Sequence, residues 1–264
     1  MNTNIALIGA SGSGVTTFIS EMYNDIKLLA PKISINEHPR AVSVHSDLIT
    51  PHTYDILAED SQHQTKSIVT FTMNDYKGTI LKEREAAGPA FFEYENELMN
   101  SQSWIILIDS HCFTNDSFDE NVKAVVKSCA RNIMPFLSDY IEKHNNTPPE
   151  IVFAVTKCES VKCSNEEMTK AVMEAFKAIN QSRYIPVIVL SDCLHFKSAG
   201  LAVLTLLCNT LNKISTNNQN NNNNQEKKTD DTLKYILAAA QCLIINNDSI
   251  IVNGFDKYKF ECIP

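Results

Sequence analysis

Glycine and hydroxyl residues crowd one short segment, Gly9-Ala-Ser11-Gly12-Ser13-Gly14-Val15-Thr16-Thr17. Glycines let backbone N–H groups turn inward around an anion without a Cβ in the way. An apolar run, Asn4 to Ile8, precedes the segment, and a helix-forming run opens at Thr16-Thr17. A helix starting there aims its dipole and free N–H groups at the same anion. The chemistry implied is phosphate binding. Gly9, Gly14 and Thr16 fit the phosphate-loop spacing G-x-x-x-x-G-K-[ST], but Val15 stands where the lysine belongs. Charge-assisted hydrogen bonds of that lysine contribute roughly 1.5–3 kcal/mol each. Its loss weakens nucleotide binding about ten- to a hundredfold.

Four more polar groups are candidates for the same site: Glu85-Ala-Ala-Gly88, Asp109, Thr156-Lys157-Cys158-Glu159 and Ser191-Asp192-Cys193. With the glycine loop, each is expected to follow the carboxyl end of a strand. Ligands of open α/β sheets sit on that rim.

The elements that must position these groups are read from periodicity. After the loop, Phe18, Ile19, Met22, Tyr23 and Ile26 predict a helix from Thr17 to about Leu29. Residues 31–64 read as a long polar loop carrying His38, His45, His52 and His63, expected to be exposed. Lys66–Met73 alternates as a strand, and Thr79–Glu83 is expected to return beside it as a hairpin. A short helix then runs to about Met99. Ser103–Asp109 holds a continuous apolar run that ends in Asp109, as expected of a central strand buried on both faces. Asp119–Lys143 has one apolar stripe, with Pro135 expected to kink or break it. A strand at Glu150–Val155, a helix at Asn165–Ile179, a strand at Tyr184–Leu190 and a helix at Ala199–Ile214 follow. Alternating strands and helices predict a three-layer α/β fold: a mostly parallel sheet with one antiparallel edge hairpin and helices on both faces.

Residues 1–214 are thus read as one domain. Residues 215–231 form an asparagine-rich linker that cannot build a core. Residues 232–264 read as a short helix plus a hairpin appendage.

Composition narrows the function. The 264 residues are 44% hydrophobic and carry a net charge of -8, with no lysine- or arginine-rich cluster. That argues against a nucleic-acid or anionic-membrane surface. No apolar run spans a bilayer and no signal peptide is read at the start, so a cytoplasmic protein is expected. The eight cysteines contain no Cys-x-x-Cys and are read as reduced thiols.

From Asn4 to Ile214 the order of motifs resembles the P-loop GTPases of the Ras-like and translation-factor superclass, with the double-GTPase families similar in style. The resemblance implies the following roles. Gly9–Thr17 is the phosphate loop. Thr16 and the switch-one threonine, placed at Thr65 with Thr50 and Thr53 as alternatives, ligate Mg²⁺ between the outer phosphates of GTP or GDP. Glu85-Ala-Ala-Gly88 stands for the D-x-x-G segment, Glu85 holding the metal through water and the Gly88 N–H touching the terminal phosphate. Thr156-Lys157-Cys158-Glu159 stands for T-K-x-D: Lys157 lies along the purine and Glu159 accepts from guanine. Ser191-Asp192-Cys193 stands for the base-side loop.

The departures from the pattern share a direction. Val15 removes the phosphate lysine, and Pro89 follows Gly88 where many such proteins carry a water-orienting Gln. Arg84 is a possible substitute cation. The sequence therefore reads as a degenerate GTPase-like protein with weak or no nucleotide binding and turnover, acting through protein partners at its switch segments or tail. One alternative is an active Mg²⁺-dependent GTPase converting GTP to GDP and phosphate. The other is an ATP-type protein with Asp109 as the metal-binding carboxylate.

Overall fold

The computed structural model describes residues 2–10, 12–28, 33–39, 48–59, 65–77, 80, 88–158, 161, 163–179, 187–190 and 198–217. Seven strands form one sheet: β1 (Asn2–Gly9), β2 (Ile33–Glu37), β3 (Ile49–Glu59), β4 (Thr65–Tyr76), β5 (Ser103–Asp109), β6 (Glu150–Thr156) and β7 (Val187–Leu190). Their order is β2-β3-β4-β1-β5-β6-β7. Strands β4, β1, β5, β6 and β7 run parallel, while β3 is antiparallel to both β2 and β4.

Six helices flank the sheet among the described residues: α1 (Val15–Lys27), α2 (Pro89–Asn100), α3 (Phe118–Asn132), α4 (Met134–Lys143), α5 (Asn165–Ile179) and α6 (Ser198–Asn217). The central strands are apolar on both faces because both are covered. Ile5, Leu7, Ile105 and Leu107 pack against α1 and α6. Ala6, Ile8, Ile106 and Ile108 pack against α2 to α5. The expected long helix breaks at Ile133, just before Pro135, into α3 and α4.

Two expectations are corrected. The antiparallel partner of β4 is β3, upstream in the chain, paired from Ile49↔Tyr76 to Glu59↔Thr65. Of the expected returning strand, Ile80 is helical and the other positions lie outside the described residues. The stretch read as a loop therefore holds β2 and β3. His52, Tyr54, Ile56 and Ala58 of β3 are buried at every second position, a strand's period. Histidine and tyrosine in inward positions hide that alternation from a hydropathy reading. Pro51 lies beyond the part of β3 that β2 pairs, where an unmatched edge tolerates proline. His52 is buried and pairs with Glu37, and His38 pairs with Asp55. Helix α6 continues through Asn217, into the stretch read as linker. The rest of the linker and the appendage, 218–264, lie outside the described residues.

Candidate functional site

Strand β1 ends in the middle of the sheet, between β4 and β5, and the chain turns directly into α1. The Ser13 N–H donates to the Ala10 carbonyl at 2.9 Å, closing the loop. Gly14 caps α1 with φ 87°, a left-handed conformation costly for any residue with a Cβ. Among the described residues, no side chain caps this helix. The first-turn N–H groups of α1 therefore have no intrahelical acceptor, nor a side-chain cap among the described residues. At Gly9 the constraint is space: a Cβ there would lie 2.2 Å from Ser13 Oγ and 2.8 Å from a Val15 methyl. The loop is folded too closely over the strand end for anything larger. Its residues line an open hollow of about 450 Å³.

The other walls come from neighbouring strand ends. Strand β4 runs parallel to β1, so its last residues reach the same rim. There the Thr16 hydroxyl donates to Asp75 at 2.7 Å. Thr50 is paired with Asp75 in the β3–β4 register and also lines the hollow. Asn74 and Tyr76 reach across to α2. The Asn74 amide and the Tyr76 hydroxyl both hydrogen-bond one carboxylate oxygen of Glu97 on α2. Burial pushes the Glu97 carboxyl up to about 8, against the opposing pull of the Asn74 hydrogen bond. Helix α2 is thereby fastened to the strand that presents Asp75.

On the far side, β6 delivers Thr156 and Lys157. The buried Thr156 hydroxyl donates to the Ser13 carbonyl at 2.8 Å. The Lys157 ammonium hydrogen-bonds the Gly12 carbonyl and pairs with Asp109 at 2.8 Å. Lys157 has φ 61°, a strained position for a non-glycine residue. Its own carbonyl accepts from Ser110 at 2.6 Å, which helps hold it there. Burial works against charge on Asp109, but Lys157 and the His111 N–H outweigh it and hold the carboxyl below its ordinary range. These contacts brace the phosphate loop from beneath.

The expected residues separate clearly. Gly9, Gly12, Ser13, Gly14, Val15, Thr16, Thr17, Thr156 and Lys157 come together at the rim. Thr65 does not. It begins β4 at the opposite end of the strand from Asp75, roughly 30 Å away at about 3.3 Å per residue. Of the alternatives, Thr50 takes the place at the hollow. Gly88 caps α2 and is not in the wall of the hollow. Asp109 faces Lys157 and His111 rather than the loop threonine. Ser11, Arg84, Glu85, Glu159, Ser191, Asp192 and Cys193 lie outside the described residues.

The carboxylate that meets Thr16 is Asp75, which the sequence reading passed over. Its signal was present: Asp75-Tyr76-Lys77-Gly78 has the spacing D-x-x-G immediately after a strand. The segment reads equally well as a hairpin turn, and pairing β4 with downstream residues hid it.

Among the described residues, no cluster of three or more His, Cys, Asp or Glu could hold a metal by itself. A hydroxyl and one carboxylate beside an anion cradle suit Mg²⁺, which keeps several waters and completes its shell with phosphate oxygens. Thr16 and Asp75, with Thr50 nearby, are such a set of hard oxygen donors.

No family model and no curated protein matches the chain. Solved structures with a similar course of the chain include three nucleotide-bound proteins. The small GTPase Arl6 (BBS3) from Trypanosoma brucei, bound to GppNp, is 11% identical over 78% of this chain and 95% of its own, with a TM-score of 0.42. A GTP-binding protein from Sulfolobus solfataricus in complex with GDP is 14% identical over 77% of this chain and 52% of its own, with a TM-score of 0.42. Elongation factor SelB from Methanococcus maripaludis, with GPPNHP, is 14% identical over 79% of this chain and 34% of its own, with a TM-score of 0.38. The fold itself is a P-loop-type three-layer α/β sandwich, set by strand order and by the glycine loop between β1 and α1. No described helix is long and apolar enough to cross a membrane.

Proposed function

We propose that this protein binds a guanine nucleotide with Mg²⁺ at the Gly9–Thr17 loop and turns it over slowly, serving as a regulatory module that meets protein partners. The observation that carries this reading is the 2.7 Å hydrogen bond from Thr16 to Asp75. It joins the loop hydroxyl to a strand-end carboxylate across the mouth of an amide-lined hollow. When bound, the metal would supply positive charge to the phosphates. Thr16 and Asp75 would hold it, and Thr50 is the neighbouring hydroxyl able to join them.

The remaining residues divide the work by position. The free N–H groups at the start of α1 cradle phosphate oxygens. Thr156 and Lys157 fix the loop's carbonyls, so the N–H groups are held in place before the ligand arrives. The stem of Lys157 lies along the purine. Glu159, two residues on, supplies the acceptor for guanine's N1–H and N2–H₂.

Slow turnover is read from the sequence after Asp75 and from Val15. The residue after Gly78 is Thr79, shorter than the Gln that orients the attacking water in fast GTPases. Val15 contributes packing instead of charge: it sits against the core cluster beneath the loop. Phosphoryl transfer depends on positioning and electrostatics, and this chain has neither the loop's own lysine nor the water-orienting Gln.

Titration of the full chain with fluorescent GTP, GDP and ATP, with and without Mg²⁺, tests the proposal. The expected result is Mg²⁺-dependent guanine binding, lowered at least tenfold by Thr16→Ala, with phosphate release far below that of an ordinary switch GTPase. No binding of any nucleotide, or equal affinity for ATP and GTP, contradicts it.

A further inference from the structure

Among the described residues, three charged side chains line the hollow: Asp75, Lys77 and Lys157. Two are engaged. Asp75 accepts from Thr16, and Lys157 is held by the Gly12 carbonyl and Asp109. Lys77 is exposed, and its ammonium has no hydrogen bond or ion pair among the described residues. Its backbone, by contrast, is pinned on both sides. The Lys77 N–H donates to the Leu48 carbonyl at 3.0 Å, and its carbonyl accepts from Ile80 at 2.9 Å. Asn74 and Tyr76 hydrogen-bond Glu97, while Asp75 and Lys77, the latter just past the end of β4, both line the hollow beside the loop. A second, water-sized recess is lined by both Val15 and Lys77, which makes them neighbours.

We propose that Lys77 supplies the cation that Val15 removed from the phosphate loop, reaching the outer phosphates of the bound nucleotide from the end of β4. The inference rests on the nucleotide-binding reading above and adds to it the residue that carries the charge. A lysine's flexible stem ends in a compact ammonium with three donors, suited to contacting phosphate oxygens as a point charge. Asp75, two residues earlier, and Lys77 would then bracket the outer phosphates from one strand end, Asp75 on the metal side. Arg84, the substitute considered from sequence, lies outside the described residues, whereas Lys77 stands in the wall of the hollow.

The test titrates the full chain and its Lys77→Met variant with labelled GTP, GDP and GMP in Mg²⁺. Affinity for GTP and GDP is expected to fall about ten- to a hundredfold, with GMP changed far less. Lys77→Arg keeps most of the affinity. Adding Val15→Lys to Lys77→Met restores it, because the charge returns from the loop's own position. If the parent protein binds GTP and Lys77→Met binds it equally well, the role of Lys77 is overturned and nucleotide binding stands. An equal loss for GTP, GDP and GMP also overturns it, since that marks damage to the fold. A parent protein that binds no nucleotide removes both readings before any variant is made.

Discussion

At the residue scale, the site depends on a few positions where only one kind of side chain fits. Gly9 is the clearest. A methyl group there meets Ser13 Oγ at 2.2 Å and Val15 at 2.8 Å, so the loop must move. Gly9→Ala is expected to cost about 1–3 kcal/mol of stability, as overpacking commonly does, and to lower nucleotide affinity with it. Chemical denaturation beside a nucleotide titration checks this; an unchanged midpoint with unchanged affinity contradicts it. The glycine loop was legible because its chemistry is local: backbone N–H groups, small residues and one hydroxyl in fixed order. Thr156 and Lys157 were legible for the same reason, following an apolar strand. Asp75 was not, because an Asp-x-x-Gly segment is also a good turn. Only the strand partner decides between the two, and that partner is distant in sequence. Thr65 failed with it, since the wrong partner for β4 leaves no sign of which end of the strand faces the loop.

At the scale of elements, β4 and α2 act as one unit through Glu97. Burial raises its carboxyl from 4.5 to about 8, so the folded chain keeps a proton that the unfolded chain has lost. A group raised in this way stabilises the fold fully below about 4.5, and its contribution declines as pH climbs toward about 8. The slope is at most about 1.4 kcal/mol per pH unit for one such group. Melting curves between these limits are expected to show the decline, and Glu97→Gln, which stays neutral, is expected to flatten it. A parent and a Glu97→Gln variant with parallel pH profiles would refute the linkage. The central strands and most helices were legible because burial on both faces, or on one stripe, leaves strong periodicity. The β2–β3 pair was not. Its outer face carries Thr53 and Asp55, hydrogen-bonded to Thr72 and Thr70 of β4, and its inner face includes His52 and Tyr54. Polar residues on both faces of a strand look like a loop until the register is known.

At the scale of the whole molecule, parallel strands bring their carboxyl ends to one rim, and antiparallel β3 brings its amino end there as well. That arrangement places Thr50, Asp75, Lys77, Asp109, Thr156 and Lys157, spread over a hundred residues of sequence, around one loop. The rim was foreseeable from the alternation of strands and helices; its membership depended on which strands pair. Asp109 is held below its ordinary carboxylate range, so its pairing with Lys157 stabilises the fold fully above that range, and the contribution is lost as pH falls beneath it toward the lowered value. Nucleotide affinity is accordingly expected to fall at acid pH, as the brace beneath the loop loses its charge.

The most direct measurement is calorimetric titration of GTP into the full chain and into Asp75→Asn, each with Mg²⁺ and with a chelator. Metal-dependent binding by the parent, reduced at least tenfold in Asp75→Asn and no longer responsive to Mg²⁺, is the predicted result. Equal, metal-insensitive binding by both proteins would show that Thr16 and Asp75 do not form a metal–nucleotide site.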